Sequence, residues 1–312
     1  MFTFTLGADQ TKLTVHSSAL AGLSPSLDAL MNGEMIEAKT RHVDWSEVDV
    51  DTFVRLCEFA YFRNYTPPSS RLFDGMIPIQ KETKGDKKKS KRKKHRSIVN
   101  WGEAEPEPEP AQAPEEEPVP EFGPAPGEEP VDGYEIPPPE NTTYTDPEIA
   151  YKERSVWTGH LRDAFASSLI IPSTQTDNLS YTFTPPMNSG SWDDFNPVFL
   201  GQARLYILAD KYCIESLRHL VLSKLHETLT NFKLYDTGVS GLVEFVRFVY
   251  LNTPPNYPSQ VDALRNLATR YIVSVLGQIG DHECFRELLE EGGPFVSDFW
   301  RIIWDAEGDC NL

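Results

Sequence analysis

The residues that could hold a metal or act as a nucleophile are few and far apart. Cys213, His219 and His226 fall at gaps of six and seven in one apolar-periodic stretch. Two of them could share a helical face, but a metal site needs ligands that converge in a tighter set. The spacing therefore reads as amphipathic surface. Asp281-His282-Glu283-Cys284 places acids where a helix N-terminus favours them, and a nucleophilic Cys284 would need a base that the pattern around it does not supply. His16 has no carboxylate or nucleophile pattern near it and reads as a structural histidine bonding backbone at a strand end. The chain contains no phosphate-cradling glycine loop, G-x-S-x-G, H-E-x-x-H or C-x-x-C. No catalytic residue, metal or cofactor is expected. The cysteines (Cys57, Cys213, Cys284, Cys310) are scattered and read as thiols of a reducing, intracellular compartment rather than a disulfide framework.

Charge carries the next signal. The 312 residues have a net charge of −18 and 25 prolines, an excess of proline over the usual ~5%. From Lys81 to Arg96 ten Lys/Arg face two acids; from Glu103 to Glu148 there are fifteen Asp/Glu, thirteen Pro and no Lys or Arg. Like charges repel and proline removes donors, so such a stretch cannot offset its ordering entropy, and residues 74–148 are expected to be disordered. The run Lys87, Lys88, Lys89, Lys91, Arg92, Lys93, Lys94 has three readings. It can be a solvated block pairing loosely with the acidic arm, a nuclear-import signal gripped by an import receptor, or a nucleic-acid contact. The acidic arm and the overall charge argue against nucleic acid. No apolar stretch is long enough for a membrane span, and the start has no basic leader pattern.

The elements that must position these groups follow from periodicity. Phe2, Phe4 and Leu6 alternate with threonines, and Leu13 and Val15 alternate again, a strand–turn–strand pattern. Ser24-Pro25 starts a helix as N-cap and first helical residue, with Leu27, Leu30 and Met31 as its apolar face and Asn32-Gly33 as its end. Val43 and Trp45 mark another strand. Asp51 is the expected cap of a helix carrying Phe53, Leu56, Cys57 and Ala60. Residues 1–66 thus read β, β, α, β, α. A helix is expected over Glu153–Leu169, then loop. From Asn196 onward the stripes are helical: Leu205/Leu208/Ala209/Tyr212, Leu217/Leu220/Val221/Leu225, Leu242/Phe245/Val246/Val249, Leu264/Leu267/Ala268/Tyr271/Val275, Phe285/Leu288/Leu289 and Phe295/Phe299/Ile302/Ile303.

Leu13-Thr14-Val15-His16 with Leu20, Leu23-Ser24-Pro25-Ser26-Leu27-Asp28-Ala29-Leu30, Met35-Ile36-Glu37-Ala38, and Val50 to Tyr61 together carry a resemblance to a BTB/POZ domain protein. It extends to Ala203–Leu217, which is similar to that domain's final helix pair. Lys224-Leu225-His226 and Leu289–Phe295 are similar to segments of fungal BTB proteins with a helical C-terminal extension. The resemblance implies an α+β, predominantly helical fold, a small sheet flanked by helical hairpins. Its first part would be 1–66, interrupted by a disordered insert (67–150) and a helix plus loop (151–196), then closed by 197–235 and extended by helices over 236–312. The two parts must pack together because neither has enough apolar surface alone, and a long insert adds little closure entropy.

What the resemblance implies for function is non-enzymatic protein–protein interaction: self-association as a homodimer, and docking of a cullin scaffold of a ubiquitin ligase. Leu30, Met35 and Glu37 are the residues it assigns to partner binding, Met35 filling a shallow apolar pocket and Glu37 fixing register through a charge-assisted bond. The chain opens at the first strand, so dimerisation through an exchanged N-terminal helix is not expected. No kelch, MATH or zinc-finger pattern accompanies the domain. The alternative is a nuclear scaffold or transcription-associated protein that presents its acidic Pro-rich arm to partners.

Overall fold

Five β-strands and twelve helices are found in the computed structural model among the residues it describes, 1–73, 146–152, 156–167, 184–255 and 262–309. All of these belong to one unit, Met1–Pro78 with Tyr144–Leu312; a second unit, Ile79–Thr143, lies outside the described residues. The fold is predominantly helical with a small sheet.

The sheet forms where apolar side chains alternate. β1 (Phe2–Leu6) is central, antiparallel to β2 (Thr11–Val15) and parallel to β3 (His42–Trp45), in the order β2-β1-β3. Phe4 lies opposite Leu13 on one side and Val43 on the other, and Leu6 opposite Trp45. The inward residues Phe2, Phe4, Leu6, Val43 and Trp45 are buried. Between β2 and β3 run α1 (Ser17–Ala21), α2 (Pro25–Asn32) and α3 (Ile36–Thr40), and after β3 comes α4 (Val50–Phe62). The segment read as β, β, α, β, α therefore holds two further short helices, α1 and α3. Each is five residues long, too short for a 3.6-residue periodicity to show.

Helix α4 starts two residues earlier than expected. Asp49, not Asp51, is the N-cap: it accepts from the Thr52 N–H at 2.8 Å and from the Thr52 hydroxyl at 2.8 Å. Both acids are competent caps; burial of Thr52 and Phe53 sets the start.

After α4 the chain forms β4 (Arg71–Leu72), which pairs antiparallel with β5 (Asp193–Asp194). The Phe73 N–H donates to the Trp192 carbonyl at 2.9 Å. The expected disordered stretch 74–148 lies outside the described residues as far as 145. Just before the expected boundary at 150, Ile149 is held: its N–H donates to the Leu234 carbonyl at 2.9 Å and its carbonyl accepts from the Gln278 amide at 2.7 Å. The expected helix is α5 (Val156–Ser167), and it is a core element. Phe165 is buried with its ring 5.4 Å from Tyr271 and 4.9 Å from His226.

The remainder is α6 (Asn196–Lys211), α7 (Glu215–Asn231), α8 (Asp236–Asn252), α9 (Ala263–Ser274), α10 (Leu276–Ile279), α11 (Glu283–Glu290) and α12 (Pro294–Asp309). The six expected stripes lie on these helices, except that Tyr212 and Val275 are the C-caps of α6 and α9. α4 packs on α6, α6 on α7 and α8, and α9 on α5, α7, α8 and α12, so helices on both sides of residue 235 share one core. The sheet joins them through Trp45, which stacks on Tyr212 at 4.6 Å and meets Phe4 and Phe53 edge-on.

Candidate functional site

The surface expected to bind a partner lies at the α2–α3 corner. Ser24 caps α2 by accepting from the Leu27 N–H at 3.2 Å, with Pro25 in the first turn. Leu27 and Met31 are buried, while Leu30 is half-buried against the core. Gly33 ends the helix, its N–H donating to the Ala29 carbonyl at 2.9 Å. A Cβ at Gly33 would lie 2.3 Å from that same carbonyl oxygen, so no larger residue fits this corner without moving the backbone.

The corner turns the next residues outward. Met35 is the extended N-cap of α3 and Ala38 its buried contact. The helix is held at its far end by Arg41, which adopts a left-handed backbone (φ +55°) and donates from Nη1 to the Met31 carbonyl at 3.2 Å. Thr40 donates its hydroxyl to the Ile36 carbonyl at 2.8 Å. In this setting Met35 is 59% exposed and Ile36 71% exposed. Glu37, in the first turn, is half-buried, and its Oε2 is buried without a hydrogen-bond partner. An unmade hydrogen bond on a buried carboxylate oxygen is costly. The arrangement offers an apolar pair beside an acceptor that has no hydrogen-bond partner among the described residues. Nothing in the sequence singles out Ile36. The dipeptide gives no sign of which side faces solvent; the αL cap at Arg41 and the burial of Ala38 decide that.

The other candidate groups do not converge. Among the described residues no group of three or more His, Cys, Asp or Glu is placed to hold a metal. Cys213 is exposed at the α6–α7 turn with φ +55°. His226 is engaged through Nε2 with the Phe165 carbonyl at 2.9 Å. His282 caps α11, its Nδ1 accepting from the Cys284 N–H at 3.2 Å, and its Nε2 lies 3.3 Å from Asp236. The His16 ring bonds a side chain rather than the expected backbone. Its Nδ1 lies 2.8 Å from the Tyr61 hydroxyl, which also accepts from the His16 backbone N–H at 3.2 Å. Burial pushes the Cys57 thiol up to about 12, which disfavours its thiolate near neutral pH. The basic run from Lys87 to Lys94 lies outside the described residues.

Two features had no sequence signal. Lys224 of α7 is only 4% exposed. Its ammonium donates to Asn64 Oδ1 and to the Tyr65 carbonyl at 2.6 Å, and lies 4.1 Å from the centre of the Tyr65 ring. Burial lowers its pKa to about 8, against the pull of Glu58 and Glu227. The lysine ties the chain just after α4 to α7. The second feature is an open groove of about 520 Å³ between the start of α4, α6 and α8. Val48, Ile207, Leu208 and Phe248 supply apolar lining; Arg204 and the Lys211–Glu47 pair (2.8 Å) supply charge. No helix among the described residues is long and apolar enough to cross a membrane. No family model, no curated protein and no solved structure matches this chain.

Proposed function

We propose that this protein is a non-enzymatic interaction module of the BTB/POZ type that docks a cullin scaffold through the α2–α3 corner. The observation that carries the reading is the display at that corner. Met35 and Ile36 project an apolar pair, and Glu37 holds a buried oxygen that accepts nothing among the described residues. A partner that covers Met35 removes its apolar surface from water, worth roughly 1.5–3 kcal/mol for a fully buried methionine. A donor from that partner, met by the half-buried Glu37 side chain turning outward, satisfies the carboxylate, and a bond to a charged group is worth about 1.5–3 kcal/mol. The three-stranded sheet flanked by short helices, and the packing of α6 on α4 and of α7 on α6, agree with the architecture that the sequence resemblance implies.

The test is calorimetric titration of the purified chain with a cullin N-terminal domain, beside a Met35→Ala, Glu37→Arg variant that retains its circular dichroism. Micromolar or tighter binding, lost in the variant, is the expected result. Absence of heat with the folded wild-type chain, or binding that survives the double substitution, refutes the assignment.

A further inference from the structure

We propose that the groove between α4, α6 and α8 is a second docking site, and that it takes a peptide segment of a protein partner in which a large apolar side chain adjoins a carboxylate. The volume, about 520 Å³, falls within the ~300–1,000 Å³ of ligand-sized clefts. The floor is apolar: Ile207 and Leu208 of α6 and Phe248 of α8 face Val48 before α4. Apolar surface continues past the rim. Leu251, one turn beyond Phe248 on α8, is 84% exposed, and residues three apart share a helical face.

The charge of the occupant follows from how the charges of the groove are already used. Asp49 is engaged as the cap of α4, and Glu47 is paired with Lys211, which holds its carboxyl below the usual range. Arg204 sits over the Phe248 ring at 5.7 Å and, among the described residues, makes no ion pair and no hydrogen bond. A guanidinium laid over an aromatic floor, with its donors free, is matched to a carboxylate by its planar fork. The apolar floor then selects the neighbouring side chain. This site is separate from Met35 and Glu37 and does not depend on the cullin reading.

The global charge makes the test sharp. A chain of net charge −18 repels an acidic peptide and attracts a basic one at long range, so a preference for the acidic peptide can come only from a local site. The probe is an octapeptide, Gly-Ser-Leu-Phe-Glu-Asp-Ser-Gly-amide, carrying tetramethylrhodamine on its N-terminal amine, with versions carrying Gln-Asn or Lys-Lys in place of Glu-Asp, followed by anisotropy in low salt. The expected result is saturable binding of the acidic peptide with Kd on the order of 100 μM and at least tenfold weaker binding of the other two. Arg204→Glu should lose about tenfold, and the exposed position lets the variant fold; Arg204→Gln should lose less. Met35→Ala, Glu37→Arg should bind the acidic peptide as wild type does. Equal or tighter binding of the neutral or lysine peptide, an unchanged Kd in Arg204→Glu, or no saturation up to about 1 mM each overturns the proposal.

Discussion

Replacing Lys224 should change how stability depends on pH, with a sign and size that follow from its surroundings. Its folded pKa is about 8 against an ordinary 10.5, because burial disfavours the ammonium more than Glu58 and Glu227 favour it. A tenfold change in proton affinity corresponds to about 1.36 kcal/mol, so carrying the charge into this site costs about 3 kcal/mol. Below pH 8 both folded and unfolded chains hold the proton, and the cost is present in full. Between pH 8 and 10.5 the folded chain has released a proton that the unfolded chain still binds, so stability rises with pH across that window and levels off above it. The neutral amine still has two N–H groups for Asn64 Oδ1 and the Tyr65 carbonyl. Tyr65 stays protonated there, since burial raises its pKa too.

Lys224→Met removes that cost at every pH. The wild type should therefore gain about 3 kcal/mol relative to the variant between pH 7 and 10.5, measured by urea unfolding at half-unit steps. Lys224→Arg, which cannot release its proton in this range, should follow the methionine variant in slope. Cys57, Tyr206 and Tyr212, each raised to about 12, pull wild type and variants down together at high pH and cancel in the difference. Parallel curves for wild type and Lys224→Met across the window would refute the argument, and a wild type that loses ground to the variant would reverse its sign.

Glu37→Gln should leave the unfolding free energy unchanged within about 0.5 kcal/mol or raise it, because the carboxylate oxygen it replaces is buried without a partner, yet it should weaken cullin binding at least tenfold by calorimetry. Gly33→Ala should destabilise by about 1–3 kcal/mol, since its Cβ meets the Ala29 carbonyl at 2.3 Å, and it should weaken docking as well by displacing α3; urea unfolding and calorimetry on the same preparation read both. Arg265, 2% exposed, donates to the Tyr250 carbonyl at 2.9 Å and to the Thr253 carbonyl and hydroxyl at the end of α8, with its guanidinium over the Tyr250 ring. Arg265→Lys cannot reproduce that fork and should cost about 2–4 kcal/mol, seen as a lower urea midpoint with an unchanged m-value.

What the sequence alone determined was whatever repeats over a turn or a strand. Alternation placed β1, β2 and β3, the Ser24-Pro25 pair placed the start of α2, and the apolar stripes placed α6 to α9, α11 and α12, because each signal lies within a few residues of the structure it specifies. The Met35-x-Glu37 motif carries no such periodic signal and was singled out by the family resemblance alone. Tertiary structure decided what depends on partners far along the chain. Asp49 and Asp51 are equivalent caps locally, and burial of Thr52 and Phe53 against the sheet selects between them. α5 appears as an isolated helix in sequence and becomes core only because Phe165 meets His226 and Tyr271, 61 and 106 residues later. Lys224 resembles any surface lysine of an amphipathic helix until Asn64 and Tyr65, some 160 residues earlier, close over it. Arg204 gains its meaning from Phe248 of another helix. Burial and pairing are properties of the assembled core, and side chains that become neighbours only there carry no periodic mark in the chain.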